Sequence, residues 1–337
     1  MVDVSVYMIT YFHQDYIEQA LESVLSQKTR FSYEIVVSDD CSTDGTMDIL
    51  RHYEKQYPDI IRVYHHEKNI GIPKNIFFAR THCNGKYIVA LSGDDYWICD
   101  DKIEKQASFL EMHKEYVGVC NGMELRYDND SKSFDVLPTK KERDRVFRLN
   151  NYEAGETLYT HGLMMRNFFL TEDGREYFGL AQKISDKVDD AVDNVLLLKK
   201  GDVFIMDLIT DVYRVPRDKS TSNNYNSKYT RMEKSKNTID LYNNMYRVLK
   251  HEINLKAKYI NAIAIALLDA IISRKIKEFN VMYKSIPEEY RYPIISGVLI
   301  KCFPKAVAIG FKYVFKKFIL SSFVFFIRRE NKFSKVC

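Results

Sequence analysis

The stretch Tyr87–Tyr96 reads YIVALSGDDY, an apolar run that leads into a glycine and two adjacent aspartates. The run Tyr87–Leu91 is short and apolar, which is typical of a buried strand. Two neighbouring carboxylates at the exit of such a strand are costly unless a partner balances their charge, and a divalent cation is the usual partner. Asp94 and Asp95 are therefore candidates for a metal-binding site.

A second acidic pair, Asp39-Asp40, follows the stretch Glu34–Ser38, which also has the character of a strand. In α/β sheets, ligands bind in the crevice outside the carboxyl ends of the strands. Two strands that both end in carboxylates predict one polar crevice at that edge of the sheet. Asp39 and Asp94 could instead cap the helices that follow. A cap needs a single aspartate, however, and both positions carry two.

Strand-like and helix-like segments alternate from the start of the chain to Arg126. The predicted strands are Val2–Tyr11, Glu34–Ser38, Ile60–His65, Lys86–Leu91 and Val117–Arg126. The spacing of apolar residues predicts a first helix that begins near Asp15. It also predicts three further helices, over Thr43–Tyr57, Ile72–Cys83 and Asp101–Lys114. This order predicts an α/β fold with a mostly parallel sheet flanked by helices.

Beyond Tyr127 the pattern is weaker, and the chain after Thr238 is predicted to be helical throughout. The remaining predictions are a loop or edge hairpin over Asp128–Asp144, a strand over Thr160–Arg166, a helix over Val188–Lys200, short strands over Val203–Leu208 and Asp211–Val215, and a flexible segment over Asp218–Lys236. They place a domain boundary near residue 236. Residues 1–236 then form the α/β domain, and residues 237–337 form an α-helical C-terminal region.

The composition argues against several classes of protein. The 50 basic and 46 acidic residues leave a net charge of +4 in 337 residues, too little to indicate nucleic-acid binding. The six cysteines lack metal-type spacing, so a reduced, cytoplasmic setting is expected. Met1-Val2-Asp3 leads directly into a strand pattern, without the basic segment of a signal peptide. No Gly-x-Gly-x-x-Gly follows the first strand, which disfavours a Rossmann dehydrogenase.

Four motifs occur in order along the chain: ITYF at Ile9–Phe12, VSDDCSTDGT at Val37–Thr46, NIG at Asn69–Gly71 and GDDYW at Gly93–Trp97. Together they resemble the family-2 glycosyltransferases of the bacterial surface-polysaccharide type, over roughly residues 3–222. That family has the GT-A fold, a Rossmann-like α/β sheet. The resemblance makes 1–236 the expected catalytic domain.

The resemblance also implies roles for the strand-end residues. Thr10, Asp39 and Asp40 match the residues that hold the base and ribose of the nucleotide. Asp95 matches the ligand of a divalent metal that bridges the diphosphate, and Asp94 matches the neighbour that faces the ribose or sugar. The implied cofactor is Mn²⁺ or Mg²⁺, hard cations that take oxygen ligands and neutralise diphosphate charge.

An acceptor hydroxyl is a poor nucleophile and needs a general base within reach. The pair Asp189-Asp190 matches the position where the family has an acidic base, and Asp190 fits the spacing better. Asp186, Asp189 and Asp193 lie nearby, and any of these acids could instead cap a helix or be solvated. Lys74, in the first turn of the third helix, is a candidate to approach the diphosphate or base, although a solvated lysine is the simpler interpretation.

The chain departs from the family pattern at several positions. Ser92 stands where the second acidic motif has a further carboxylate, and Phe12 stands where asparagine is more common. Tyr213-Arg214 resembles the closing Tyr-Arg-x-His element, but Pro216 replaces the histidine. The Gln-x-x-Arg-Trp signature of processive synthases is absent, because Trp97 is the single tryptophan. A single-transfer enzyme is therefore expected.

The C-terminal end combines basic and apolar character. Lys305, Lys312 and Lys316 share a helical face, and Phe318–Ile327 is almost wholly apolar. That run is about half of the roughly 20 residues that a membrane span needs. It predicts an interfacial amphipathic anchor on an anionic cytoplasmic leaflet, with a helix packed on the protein or a partner as the alternative.

The resemblance implies an inverting, metal-dependent glycosyltransferase that moves a sugar from a nucleotide-sugar donor, expected to be a UDP-sugar. The expected acceptor is a hydroxyl of a glycan or a lipid-linked molecule in surface-polysaccharide synthesis, at the inner face of the cell membrane. One alternative is a nucleotidyltransferase, although Thr10–Asp15 lacks the Gly-rich basic loop that this class needs. Another is a non-catalytic protein that binds nucleotide sugars or serves as a membrane scaffold.

Overall fold

A computed structural model describes residues 2–127, 134–185, 190–215, 229–249 and 252–291. The chain divides into two compact units. The first comprises Met1–Lys228 with Arg247–Lys250, and the second comprises Tyr229–Tyr246 with His251–Cys337. The division falls before the predicted position near residue 236.

The first unit is a single sheet covered by helices. Its strands are β1 (Val4–Thr10), β2 (Tyr33–Asp39), β3 (Ile61–His65), β4 (Tyr87–Ser92), β5 (Tyr96–Trp97), β6 (Tyr116–Tyr127), β7 (Phe134–Leu137), β8 (Arg145–Phe147), β9 (Met164–Arg166) and β10 (Asp202–Val215). Its helices are α1 (Ile17–Leu25), α2 (Thr46–Gln56), α3 (Ile72–Thr81), α4 (Lys102–Met112), α5 (Leu149–Glu153), α6 (Glu172–Ile184) and α7 (Asp190–Lys200). The alternation predicted up to Arg126 is confirmed.

The sheet has the strand order β3-β2-β1-β4-β9-β6-β10-β5, with β7 beside β6 and β8 beside β10. The strands β3, β2, β1 and β4 are parallel neighbours, and so are β6 and β10. The short strand β9 pairs antiparallel with β4 on one side and β6 on the other. Its three residues join the two parallel parts into one sheet.

The core lies on both faces of β1, which is the strand at the centre of the first parallel part. Val4, Val6 and Met8 on one face are fully buried together with Ile17 and Leu21 of α1, and Tyr7 on the other face is buried as well. A strand buried on both faces reads as a continuous apolar run, which explains why the sequence signal for β1 is clear. The carboxyl edge of these parallel strands is thereby held by a packed core.

Two strand predictions need correction. Of the strand predicted over Thr160–Arg166, only Met164–Arg166 forms one, as β9. The segments Val203–Leu208 and Asp211–Val215 form a single strand, β10, rather than two. Its pairing with β6 shifts register between Ile205 and Ile209 and again between Ile209 and Asp211. Such irregularities interrupt the alternation of buried and exposed residues, so the sequence pattern appears broken where the strand continues.

The described part of the second unit is helical, as predicted. It contains α8 (Arg231–Val248) except for its last two residues, together with α9 (Lys256–Ile272) and α10 (Ile276–Ser285). Helix α8 begins within the segment predicted to be flexible, so that prediction is wrong for Arg231–Lys236. In the parts of the chain that the structure describes, no helix combines the length and apolar character needed to cross a membrane.

Candidate active site

The predicted strand-end residues lie at one edge of the sheet. Thr10 of β1 is in register with Asp39 of β2, and Ile9 is in register with Ser92 of β4. Because these neighbouring strands are parallel, the residues that follow them emerge side by side. The acidic pairs Asp39-Asp40 and Asp94-Asp95 therefore flank the end of β1, as the sequence predicted.

Asp39 is fully buried and holds a turn together. Its carboxylate accepts hydrogen bonds from the Ser42 amide at 2.9 Å and the Ser42 hydroxyl at 2.5 Å, and it lies 2.8 Å from His65 Nδ1. The Thr10 hydroxyl beside it is buried and has no hydrogen-bond partner among the described residues. The Thr10 hydroxyl is thus the free polar group at this position, while Asp39 is largely occupied within the protein.

Asp40 connects two of the sequence motifs. Its backbone amide donates to the Thr10 carbonyl at 2.9 Å. Its carboxylate accepts from the Ile70 amide at 2.7 Å and the Gly71 amide at 3.0 Å. Gly71 has φ = +84°, a conformation that favours glycine, and it leads directly into α3. Asp40 thereby fixes the start of the helix that carries Lys74, whose side chain is exposed.

The geometry of the turn after β1 explains why asparagine is the more common residue at the position of Phe12. Phe12 adopts φ = +58°, and its ring is exposed. Asparagine tolerates this left-handed region better than a bulky residue does, and the cost for a residue with a side chain is roughly 1–2 kcal/mol. The backbone amide of Phe12 donates to the Ser42 hydroxyl at 2.9 Å, which ties the strained turn to Asp39.

Asp95 is the most unusual group at this edge, with 1% of its surface exposed. One carboxylate oxygen, Oδ1, accepts from the Arg214 amide at 2.8 Å. The other, Oδ2, is buried with no hydrogen-bond partner among the described residues and lies 3.6 Å from His161 Nε2. Burial and the neighbouring charge of Asp94 raise the pKa of Asp95 well above its usual value.

The free Oδ2 of Asp95 fits a divalent cation. A buried carboxylate oxygen without a donor is costly, and a cation removes that cost while keeping the carboxylate ionised. The side chain of Asp94 is 41% exposed and lies 3.9 Å from His13 Nε2, so it faces the open side of the site. No group of three His, Cys, Asp or Glu residues within the described ranges converges on an ion. Phosphate oxygens and water would therefore complete the coordination.

Arg214 covers the same corner of the site. Its guanidinium lies between the rings of Tyr16 and Tyr96, at 5.1 and 4.5 Å from their centroids. It donates hydrogen bonds to the Asp94 carbonyl and to the Gln19 side chain. Aromatic stacking of this kind fixes the orientation of an arginine while keeping its charge. The positively charged guanidinium of Arg214 therefore lies beside the acidic pair Asp94-Asp95.

A cavity of about 420 Å³ opens between the sheet edge and α7. His161, Asp190 and Tyr213 line it, together with Ser92 at the end of β4. Apolar side chains from β4, β9 and α7 also contribute to its wall, including those of Leu91, Met165 and Leu197. A concave site with an apolar wall and a few convergent polar groups is the usual form of a small-molecule site.

The candidate base Asp190 is the first described residue of α7 and lines this cavity. Asp190 is exposed, yet the surrounding atoms partly desolvate its carboxyl group and raise its pKa, and the charge of Asp193 adds to the effect. Asp189, the other candidate, lies outside the described residues.

Asp193 belongs to a polar network that sequence reasoning missed. Arg80 of α3 donates to Asp193 Oδ2 at 2.8 Å and to the Tyr7 hydroxyl at 3.0 Å. The Tyr177 hydroxyl donates to Asp193 Oδ1 at 2.9 Å. Arg80 and Asp193 are far apart in the sequence, so the sequence does not indicate that they pair. The length and apolar surroundings of α3 are the only signals that could have indicated a buried arginine. The pair anchors α7 one turn away from Asp190.

The substitution Arg80→Met is expected to lower the free energy of unfolding strongly. Breaking a buried ion pair costs roughly 3–5 kcal/mol, because one charge is left without its partner. Asp193 is 32% exposed and reaches the water of the cavity, so we expect a loss of about 3 kcal/mol. Urea unfolding measures this loss in the free energy of unfolding. The control is Arg175→Met, because Arg175 pairs with Glu172 and the two side chains are 74% and 81% exposed; it should lower the free energy of unfolding by under about 1 kcal/mol. An equal loss in the two variants would contradict the assignment of Arg80 and Asp193 as a buried ion pair.

The comparison with protein families identifies the chain. The pattern of the family described as glycosyl transferase family 2 matches residues 5–174, just over half of the chain. This chain belongs to glycosyl transferase family 2. The match contains all four motifs and confirms the predicted enzyme class.

Curated relatives share the same part of the chain. A putative glycosyltransferase, EpsE of Bacillus subtilis, is 32% identical over 162 residues, which are 48% of this chain and 55% of EpsE. A putative teichuronic acid biosynthesis glycosyltransferase, TuaG of the same organism, is 42% identical over 107 residues, 32% of this chain and 41% of TuaG. The chain therefore spans about half the length of the curated relatives it matches.

Solved structures show the same fold. Staphylococcus aureus TarS 1-349 in complex with UDP-GlcNAc has a TM-score of 0.51 at 18% identity, over 86% of this chain and 82% of that one. The mannosyltransferase PcManGT of Pyrobaculum calidifontis, in complex with GDP-Man and Mn²⁺, has a TM-score of 0.50 at 16% identity, over 89% and 88%. The predicted α/β fold of the GT-A type is confirmed.

Proposed function

We propose that this protein is an inverting, metal-dependent glycosyltransferase that uses a UDP-sugar as donor. The observation that carries the proposal is the buried Oδ2 of Asp95, which has no hydrogen-bond partner among the described residues and lies at the same sheet edge as a cavity lined by Asp190. A sheet edge with one carboxylate oxygen that lacks a donor, beside a cavity lined by a second carboxylate, suits two tasks. One is to hold a cation, and the other is to accept a proton.

Each task has a group of residues in this chain. Asp95 would hold Mn²⁺ or Mg²⁺, which neutralises the charge that grows on the leaving diphosphate. Thr10, Asp40 and the loop that Asp40 fixes would position the nucleotide. Asp190, which lines the cavity, would take the proton of the acceptor hydroxyl. The apolar wall would exclude water from the transferred sugar.

Two solved neighbours of the same fold contain different nucleotide sugars, so the donor is a question for experiment. The TarS structure contains UDP-GlcNAc and the PcManGT structure contains GDP-Man and Mn²⁺, so the GT-A fold accommodates either base. A thermal-shift panel of UDP- and GDP-sugars, each with and without Mn²⁺, separates them. A ligand at a hundredfold excess over its Kd stabilises the protein by about 2.7 kcal/mol. A shift with UDP-sugars that needs Mn²⁺ supports the proposal, and the absence of any metal-dependent shift would contradict it.

The proposed acceptor is a hydroxyl of a glycan or of a lipid-linked molecule. The support comes from names alone: TuaG is described as a teichuronic acid biosynthesis glycosyltransferase, and TarS as a poly(ribitol-phosphate) β-N-acetylglucosaminyltransferase. Family membership favours sugar transfer over the alternative of nucleotidyl transfer. A transfer assay with radiolabelled donor distinguishes an enzyme from a non-catalytic binding protein, which would bind the donor without turnover.

We also propose that the protein binds the inner face of the cell membrane through its C-terminal segment. The basic stripe of Lys305, Lys312 and Lys316 and the apolar run Phe318–Ile327 motivate this, and both lie outside the described residues. Replacing the three lysines by glutamate should abolish sedimentation with anionic vesicles, because each basic residue near such a surface contributes about 1 kcal/mol. The same change at Lys55, Lys86 and Lys105 is the control. Unchanged sedimentation would indicate a packing role instead.

A further inference from the structure

We propose that His161 is a ligand of the catalytic metal, in place of the histidine that Pro216 replaces in the closing motif. The inference rests on the proposed function and deepens it, because it assigns a second protein ligand to the site of Asp95. From the sequence alone a structural role is the simpler interpretation of His161, which lies in the loop before β9 and far along the chain from both acidic pairs.

The first support is the position of the ring. His161 Nε2 lies 3.6 Å from Asp95 Oδ2, the oxygen that has no hydrogen-bond partner among the described residues. Two ligand atoms bound to one cation at metal–ligand distances of about 2.1 Å lie roughly 3 Å apart when they are neighbours in an octahedron. A small rotation of either side chain therefore brings both atoms to one ion. The His161 side chain is only 19% exposed, so little water competes with an ion for its ring nitrogen.

The second support is that the loop carrying His161 is fixed before any ion binds. The next residue, Gly162, has φ = +67°, and a Cβ there would collide with the buried ion pair of Lys102 and Asp211. The Gly162 carbonyl accepts a hydrogen bond from the buried Gln106 side chain at 2.9 Å. A ligand held by such surroundings loses little conformational freedom on binding.

The buried pair of Lys102 and Asp211 supports this loop. Lys102 Nζ lies 2.5 Å from Asp211 Oδ1, with both side chains at most 1% exposed, and the ammonium faces the Trp97 ring at 4.5 Å. Asp211 is also bonded by the Thr210 hydroxyl at 2.6 Å. This pair lies beneath the His161 loop and also next to β5, which follows Asp95. It thus holds both proposed ligands against one rigid base.

The ring is also oriented from its other side. His161 packs edge-on against Tyr213, with the ring centroids 5.4 Å apart and the planes at 73°. Tyr213 precedes Arg214, whose backbone amide binds Asp95 Oδ1. The same strand, β10, therefore aligns the carboxylate and the imidazole. Metal-binding side chains are commonly oriented by such supporting contacts.

The proposed ligand pair has a consequence for metal choice. Mg²⁺ prefers an all-oxygen environment and keeps its waters, whereas imidazole is a better ligand for transition metals. A carboxylate with an imidazole should therefore favour Mn²⁺ over Mg²⁺. Removing the imidazole should reduce this preference and leave a weaker, oxygen-only site.

The test measures Mn²⁺ binding directly, on the full chain saturated with UDP. His161→Ala should raise the Kd for Mn²⁺ by tenfold or more in calorimetry, while UDP binding without metal stays unchanged. The matched control is His113→Ala, because His113 is 42% exposed and lies at the end of α4. Electron spin-echo spectroscopy of bound Mn²⁺ should show coupling to a histidine nitrogen in the wild type and in the control, and none in His161→Ala.

The outcomes separate this inference from the proposed function. If wild-type protein binds Mn²⁺ with UDP, loses it on Asp95→Asn and keeps both affinity and nitrogen coupling on His161→Ala, the ligand assignment is wrong and the function stands. If the wild type shows no metal-dependent UDP binding, the proposed function fails as well. His161→Gln, which keeps a polar side chain without the ring, guards against misfolding of the alanine variant. It should also lose the nitrogen coupling, and retention would overturn the assignment.

Discussion

Asp95→Asn is expected to abolish Mn²⁺-dependent UDP binding and to leave the fold intact. The change removes the charge that attracts the ion and keeps the shape of the side chain. Its Oδ1 can still accept the hydrogen bond from the Arg214 amide, now 2.8 Å from the carboxylate. Calorimetric titration of UDP with and without Mn²⁺ measures the effect, and we expect the metal-dependent gain in affinity to disappear.

The same substitution should leave the metal-free protein at least as stable as the wild type. Burial and Asp94 raise the pKa of Asp95 in the folded state. A carboxyl whose folded pKa is raised destabilises the fold at any pH above the unfolded value, and this cost disappears as the pH falls below it. Asparagine carries no charge at any pH. The gain in unfolding free energy on substitution should therefore be present at neutral pH and vanish in acid.

Asp94→Asn is the matched control, because its side chain is 41% exposed and already contacts water. It should weaken UDP binding without abolishing the metal dependence, and it should change stability little. If Asp95→Asn retains metal-dependent UDP affinity, the metal is held elsewhere. If Asp95→Asn destabilises the metal-free protein, Asp95 is a structural residue, and contacts within the fold compensate the free-energy cost of burying its carboxylate.

The sequence predicted the edge of the sheet because the relevant signals are local. Each acidic pair directly follows a buried parallel strand, and parallel strands that are neighbours bring their ends together. Thr10, Asp39 and Asp95 could therefore be assigned to one crevice without a structure. The glycine at position 71 and the proline at 73 likewise mark the start of α3 through local backbone preferences.

The other half of the site depends on contacts between distant segments. The approach of His161 to Asp95 requires β9 to insert antiparallel between β4 and β6, and its three residues carry almost no pattern of their own. The ion pair of Arg80 with Asp193 joins α3 to α7, and nothing in either segment indicates the partner. Burial of a charge is decided by its partner, so it cannot be read from one segment alone.

Asp39 illustrates the limit of assigning a role by motif. The family resemblance implies that it binds the nucleotide, and the structure places it at the end of β2. The structure adds that its carboxylate is bonded to the turn by Ser42 and lies 2.8 Å from His65. Each of these contacts depends on backbone geometry that a list of residues does not contain. The same carboxylate can therefore shape the site as well as face the ligand.

Asp190→Asn is expected to abolish sugar transfer while UDP and Mn²⁺ affinities stay close to those of the wild type. A positioned base contributes 10²–10⁴-fold in rate, or about 3–5 kcal/mol of barrier. The amide keeps the size of the side chain at the cavity wall and cannot accept the proton. Transfer of radiolabelled sugar, compared with calorimetric UDP binding on the same preparation, measures both quantities.

The pKa of Asp190 makes a second measurement possible. Lost hydration and the charge of Asp193 raise this pKa, whereas Arg80 lowers it. A base must be ionised, so activity should fall as the pH drops through the raised pKa, and the acid limb should lie above that of an ordinary aspartate. Asp193→Asn removes one raising influence and frees the Arg80 charge to act on Asp190. Both effects have the same sign, so the acid limb should move to lower pH.

The control variant is Asp189→Asn, which changes the neighbouring carboxylate. If Asp190 is the base, Asp189→Asn lowers the rate only mildly and leaves the acid limb in place. If Asp189→Asn is the inactive variant and Asp190→Asn is active, the proton goes to the neighbour, and the cavity position of Asp190 reflects substrate binding. If both variants stay active, neither aspartate is the base. The raised pKa of Asp190 would then be a consequence of its place beside Asp193, since the wall of a cavity shifts a pKa whether or not the group transfers a proton.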